Sequence, residues 1–275
     1  MTNAKPKLAL AIGIICISVF PILVKLQLTG GLISAFYRMA IAGALLLPYV
    51  IVTKKFKLPR AGILILAVLC GLLFASDVAV WNISIQESSA TQASLLTNLS
   101  PVWVGIASFL FLKNKPATNF WIGTVNAAFL LAILSGVLYA IYMLVSKNVL
   151  SEMDVLSFMM VTLITSTLFL GVVCLALNEP FSGFSNAGWL VLFIQGIVCQ
   201  LIAWLLISYA TQNMRATRVS LSLLGQAVLA TILAWLFLDE KITFQMIVGG
   251  LILLLGIRIT FYSKTISLRN IVNKD

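Results

Sequence analysis

From residue 8 to residue 262 this chain is a succession of apolar stretches separated by loops of a few residues. A run of ~20 apolar residues crosses a bilayer as a helix. Hydrocarbon offers no partner to a backbone N–H or C=O, so each crossing must satisfy its own, and helices do this segment by segment. That condition excludes almost every fold except a bundle of membrane helices. Composition agrees: 61% of residues are hydrophobic and 9% charged, where a soluble domain is about a quarter charged. No stretch reads as a separate soluble domain, so residues 1–275 are taken as a single membrane domain.

The clear spans are 8–28, 31–52, 61–84, 91–112, 154–177, 188–210, 217–238 and 242–262, with a further apolar segment at 119–147. Lys5 and Lys7 precede the first apolar run in the manner of a signal peptide. That run reaches Leu28 without a clear small-residue cleavage site, so it is read as the first span.

Residues 90–123 and 216–249 are two copies of one pattern. At a fixed offset of 126, without a gap, they match at 11 of 34 positions, including Lys115 on Lys241 and Gly123 on Gly249. A weaker match at offset 122 sets Gly13–Lys25 against Ser135–Lys147. Two related halves within an apolar chain point to a transporter with its binding site between them. The halves are read as 8–125 and 126–262.

Extended in both directions, the repeat implies ten spans, but 119–147 has room for little more than one. Charge decides the count. With ten spans and a cytoplasmic N-terminus, 14 Lys and Arg fall inside and only Lys241 falls outside; with a single crossing at 119–147 the split becomes 9 to 6. The positive-inside rule favours ten. The fifth and sixth helices are then truncated, with a possible chain break at Val125–Asn126. A short re-entrant hairpin over 119–147, or a chain that crosses nine times, would also accommodate so short a segment. Five spans per half is an odd number, so the fold expected is all-α, with two inverted five-helix repeats and both termini cytoplasmic.

Several ordered motifs carry a family resemblance. They are Phe36-Tyr37-Arg38-Met39-Ala40, Ser100-Pro101-Val102-Trp103, Leu112-Lys113-Asn114-Lys115-Pro116 with Trp121-Ile122-Gly123, Ser135-Gly136-Val137-Leu138-Tyr139-Ala140, and Trp235-Leu236-Phe237-Leu238-Asp239-Glu240-Lys241 with Gly249-Gly250. In this order the chain resembles the EamA-type branch of the drug/metabolite transporter superfamily. The resemblance implies ten helices in two inverted repeats, cytoplasmic termini, and carriage of small metabolites, often as export. The chain departs from the family in its fifth and sixth helices, and in having Gln226-Ala227 where the first copy has Ser100-Pro101.

Asp77 is the acidic residue placed inside a span, and an intramembrane carboxylate is a functional candidate by default. It lies seven residues from the outer end of its predicted span, as Arg38 does in its own, so both are ~10 Å deep at ~1.5 Å per residue. Equal depth predicts a direct ion pair. Two readings follow: the pair binds the charged groups of a zwitterion or couples its movement to a proton, or it is a buried pair that fixes helix packing. Trp81, Asn82, Trp103, Tyr139, Tyr142, Gln200, Trp204, Tyr209 and Gln226 are candidates for a central cavity, and Tyr37 joins Trp103 and Tyr142 among the deeper aromatics. Pro21 and Pro101 are candidate hinges, a static kink being the alternative. Lys25 and Arg258 are expected to snorkel to the interface, and Lys147 to end a helix at the inner face.

The partners expected are a small-molecule substrate and the lipid bilayer of the inner or plasma membrane, with the choice of monomer or homodimer left open. The net charge of +10 is explained by cytoplasmic loops rather than by nucleic acid. Without histidine there is no imidazole metal site or His triad, and no nucleotide-binding loop is present. No cofactor and no enzyme activity are expected. The alternative function is a membrane sensor or receptor without transport, although long cytoplasmic loops are lacking.

Overall fold

The structure is a computed structural model describing residues 4–87 and 127–240, with 242, 247, 250, 251, 254 and 255; the side chains of 127–133, 216 and 217 are excepted. The first copy of the repeat, Pro101, Trp103 and the Val125–Asn126 junction lie outside the described residues.

Every described element is a helix: α1 (Ala4–Ser18), α2 (Phe20–Lys25), α3 (Gly31–Thr53), α4 (Ala61–Glu87), α5 (Ala127–Glu152), α6 (Val155–Ala176), α7 (Asn186–Ile194), a π-helical stretch (Gln195–Ile202), α8 (Ala203–Asn213), α9 (Ala216–Leu223) and α10 (Gly225–Leu238). They make seven spans long and apolar enough to cross a membrane, the first being α1 with α2 and the sixth running from α7 through α8.

Local chemistry sets the boundaries. Pro21 stands in the first turn of α2, where its missing N–H costs nothing. The preceding helix closes at Ser18, whose Oγ donates to the Ile14 carbonyl at 2.6 Å, a back-bond that bends helices. Asp154 caps α6 by accepting from the Ser157 N–H, and Ser185 caps α7 by accepting from the Gly188 N–H.

Lys147 does not end a helix, as the sequence suggested. α5 runs on to Glu152, because Val149 and Leu150 continue its buried face and the ammonium finds partners where it stands. Its Nζ donates to the carbonyls of Thr211 (2.7 Å) and Gln212 (3.0 Å) at the end of α8. In turn Gln212 Nε2 donates to the carbonyls of Leu150 and Met153.

The same clasp occurs in the first half. Lys25 Nζ donates to the carbonyls of Ile85 (3.3 Å) and Gln86 (3.4 Å) near the end of α4, and Gln86 Nε2 donates to the Thr29 carbonyl at 2.9 Å. Lys25 therefore holds helix-end carbonyls rather than snorkelling into the headgroups. The partners correspond: Lys147 is Lys25 at offset 122, while Thr211 and Gln212 are Ile85 and Gln86 at offset 126. A cation at a helix C-terminus also complements the helix dipole.

The start of α3 and the segment after α6 lie at the Lys25 clasp, where Asn82 and Gln86 bond Gly31 and Thr29 and where the Tyr37 hydroxyl bonds the Phe181 carbonyl. The starts of α4 and α6 lie at the other face, joined by Lys57 N–H to Ser157 Oγ at 2.9 Å.

Packing repeats in the same way. α1 lies on α8 and α4 lies on α5, while α3 crosses α6 at the centre. In a bilayer the helices associate through close packing rather than water exclusion, so small residues matter at crossings. A Cβ on Gly71 of α4 would stand 2.7 Å from Thr165 Cβ on α6. The core includes Met39, Ala42, Cys70, Phe74, Met159 and Leu163. On the opposite side of α6, Leu168, Val172 and Leu175 are exposed at spacings of four and three, an apolar stripe suited to lipid.

Candidate functional site

Seven helices converge on a cavity of about 50 Å³. Its walls are Ile17 of α1, Arg38 of α3, Phe74, Asp77, Val78 and Trp81 of α4, Tyr139 of α5, Trp204 of α8, Leu223 of α9 and Gln226 of α10. A water needs ~10–15 Å³ on this scale, so the space admits roughly three to five waters or a small polar group.

Arg38 is 1% exposed. Its Nε donates to Gln200 Oε1 at 2.7 Å, and its guanidinium carbon sits 3.8 Å from the centroid of the Phe20 ring, a cation–π contact. Phe20 in turn stacks on Trp81 with centroids 5.0 Å apart. Asp77, 6% exposed, accepts from Ser135 Oγ at 2.5 Å.

The expected direct ion pair is absent: among the described residues no salt bridge within 4.0 Å joins Arg38 to Asp77. Depth is not the reason: the start of α3 at Gly31 lies against the Asn82 backbone of α4, so at ~1.5 Å per residue Arg38 and Asp77 stand within ~3 Å of one depth. The reason is competition, since Arg38 bonds Gln200 and stacks on Phe20 while Asp77 accepts from Ser135. Opposite charges thus line one cavity without neutralising each other by contact.

Ser135 was visible only as part of a motif, but the repeat holds a signal for it. Ser135 is Gly13 at offset 122, and Asp77 corresponds to Ala203 at offset 126. Gly13 packs closely on Ala203, a Cβ there lying 3.1 Å from the Ala203 carbonyl oxygen. The same helix crossing therefore occurs twice, once bare and once carrying a hydroxyl and a carboxylate. A polar pair gained on one copy marks where the halves diverge.

The remaining wall is aromatic. Phe74 lies 4.5 Å from Trp204 and 5.0 Å from Tyr142 between centroids, and Tyr139 lies 6.5 Å from Trp204. Among the described residues, Trp81 Nε1 and Trp204 Nε1 are buried donors without a hydrogen-bond partner. An unsatisfied buried donor costs ~1–3 kcal/mol, a penalty that a bound acceptor removes.

Of the residues singled out from sequence, Arg38, Asp77, Trp81, Tyr139, Trp204 and Gln226 meet at the cavity, and Tyr142 and Gln200 support it from one layer behind. Tyr37 is not at the cavity. Its hydroxyl donates to the Phe181 carbonyl at 2.5 Å and its ring packs edge-on to Trp189 and Phe184. Neighbouring helical residues point ~100° apart, so the face that presents Arg38 inward turns Tyr37 away. Asn82 is likewise a packing residue, donating from Nδ2 to the Gly31 carbonyl at 3.0 Å. Tyr209 is 37% exposed and takes no part in the cavity wall. Phe20, Phe74 and Ser34 were not singled out, because as single letters in apolar helices they look like any core residue; Gln195, an amide in the same span as Gln200, carried the same signal and was passed over.

A multi-pass helical membrane protein with a charged, aromatic-walled cavity between its helices has an architecture that membrane transport proteins share. The chain is a member of the EamA-like transporter family, whose model matches it twice, over residues 5–129 and 126–262. It is 24% identical over 247 residues to an uncharacterized transporter of Bacillus subtilis (strain 168), YdfC, a match covering 82% of this chain and 80% of that protein. It is 25% identical over 253 residues to an uncharacterized transporter of Archaeoglobus fulgidus, covering 82% of this chain and 86% of that one. A solved crystal structure shares the fold with a TM-score of 0.67 at 16% identity, over 93% of this chain and 96% of its own.

Proposed function

We propose that the protein is a secondary carrier that exports a small metabolite, an amino acid or a similarly amphipathic solute, by alternating access. Ten helices in two inverted five-helix repeats, 8–125 and 126–262, rock about the cavity, with both termini in the cytoplasm and the chain in the inner or plasma membrane. The observation that carries this reading is the placement of Arg38 and Asp77 on one small cavity without contact between them. Buried unlike charges held apart are costly, and a zwitterion relieves both, carboxylate to Arg38 and ammonium to Asp77. The aromatic wall of Phe74, Trp81, Tyr139 and Trp204 suits the apolar remainder of such a solute.

Support for inversion comes from the two clasps. The first span and α4 end together at one, and α5 and α8, their counterparts by offset, end together at the other. Export is the direction that the family resemblance implies. The substrate class rests on the chemistry of the cavity alone.

The test is flux. In proteoliposomes the purified chain is expected to carry radiolabelled amino acids from a mixed panel, with Arg38→Gln and Asp77→Asn each lowering flux at least tenfold. A wild-type chain that moves no member of the panel refutes the reading. So does a pair of variants that transport at the wild-type rate.

A further inference from the structure

The span from α7 through α8 leaves the α-helix for eight residues, Gln195–Ile202, in a π-helical stretch. This form is rare, runs i→i+5 and concentrates at functional positions. Residues five apart come closer to sharing a face in it than in an α-helix, where they are about 140° apart. Gln195 and Gln200 are such a pair, and both meet α3. Gln195 Oε1 accepts from Ser34 Oγ at 2.6 Å and Gln200 Oε1 accepts from Arg38 Nε at 2.7 Å. Ser34 and Arg38 are four apart, one turn of α3 and on one face of it. The two helices therefore match at two successive rungs only because one of them has the wider turn. In an α-helical register one of the two glutamines would be carried off α3.

The backbones are close enough for short amide side chains to reach. A Cβ on Gly196 would lie 2.7 Å from Ile41 Cβ and Cγ2, and 3.5 Å from the Arg38 carbonyl oxygen. Gln195 and Gln200 are 0% and 1% exposed, so neither bond competes with bulk solvent. Among the described residues, the bond to Gln200 is the one hydrogen bond the guanidinium makes. Among the described residues its two terminal nitrogens make none, and Arg38 lines the cavity.

We infer that the π-helical stretch positions Arg38 for carboxylate recognition, with Gln200 as the positioning residue. Held at Nε, the planar guanidinium keeps its terminal nitrogens toward the cavity, where a carboxylate accepts from it. Without that hold the side chain retains its charge but not its direction. Specificity for an acid over its ester is then set one layer behind the solute, by helix pitch. The inference rests on the proposed reading of the cavity as an amino-acid site.

The test uses thermal unfolding of the purified full chain. The probes are an equimolar mixture of the twenty common amino acids and the same mixture as methyl esters. Wild type is expected to be stabilised by the acids at a lower half-saturating concentration than by the esters. Gln200→Met keeps the volume and removes the acceptor, and is expected to raise the half-saturating concentration for the acids about tenfold, leaving that for the esters unchanged. Ser34→Ala, which loosens the other rung without touching the cavity wall, is expected to move the acids in the same direction, and it decides the matter if Gln200→Met does not fold. If Arg38→Gln loses acid preference while Gln200→Met and Ser34→Ala keep it, the positioning role is overturned and the cavity reading stands. A loss of acid and ester responses alike also overturns it, because a merely structural role predicts that. No response of wild type to the acids overturns the cavity reading and this inference with it.

Discussion

The crossing of α4 over α6 permits a sharp test of how this bundle is held together. In Gly71→Ala the added Cβ stands 2.7 Å from Thr165 Cβ and 3.0 Å from the Thr162 carbonyl oxygen. Both belong to or adjoin the α6 backbone, so the helices must part. Overpacking of this kind costs ~1–3 kcal/mol. The separation also strains the bond from Ser166 Oγ to the Gly71 carbonyl, 2.8 Å long, of a type averaging ~0.6 kcal/mol in one membrane bundle. Alanine returns about 1 kcal/mol of helix propensity over glycine. The net expectation is a loss of ~1–2 kcal/mol. Gly62 lies on the same helix with nothing among the described residues within 4 Å of its Cβ position, so Gly62→Ala should feel the propensity alone and gain up to about 1 kcal/mol. The assay is unfolding of each variant from mild-detergent micelles by increasing SDS fraction, read by circular dichroism. Equal stabilities for the two variants, or a more stable Gly71→Ala, would refute the argument that close approach at this crossing requires the missing side chain.

Lys147→Met and Lys25→Met should each lose ~1–2 kcal/mol in the same SDS titration, from helix-end carbonyls left without their cation. In the double variant the losses should add within ~0.5 kcal/mol; strong coupling would mean that the two clasps are not independent. Asp154→Ala should cost about 1 kcal/mol through the lost cap of α6, measured in that assay, with solute flux per folded molecule unchanged. In proteoliposomes, Asp77→Asn should abolish accumulation driven by a pH gradient and leave some passive exchange; accumulation at the wild-type level would remove Asp77 from proton coupling.

Much of the helical layout was legible because hydrophobic length is a strong signal. The spans read at 31–52 and 154–177 appear as Gly31–Thr53 and Val155–Ala176. Ends were less legible where polar groups are satisfied by other helices. α5 passes Lys147 because Thr211 and Gln212 receive its charge, and that pairing joins residues more than sixty positions apart. At the site, charge within a span revealed Arg38 and Asp77, but depth along a helix does not give rotation about it. Tyr37 and Asn82 lie as deep as their neighbours Arg38 and Trp81, and face elsewhere. The π-helical stretch was not legible at all. Its two glutamines meet Ser34 and Arg38 on another helix, and nothing in Gln195–Ile202 announces a wider turn.

The alignments to the two relatives are longer than the part of this chain that they take in. They run over 247 and 253 residues while taking in 82% of this chain, so both relatives carry stretches without a counterpart here.

The two lysine clasps have a mechanical consequence. Each fastens a pair of helices at one end, as the pivot fastens the arms of a pair of tongs. For the first span and α4 the pivot is at the Lys25 end; for α5 and α8 it is at the Lys147 end. A motion that leaves both fastenings intact swings each pair most widely at the membrane surface away from its own pivot. One pair of tongs therefore gapes toward one surface and the second toward the other. Under the alternating access proposed above, two levers with fulcrums on opposite surfaces would let a passage open to one side at a time without breaking a hydrogen bond at either pivot.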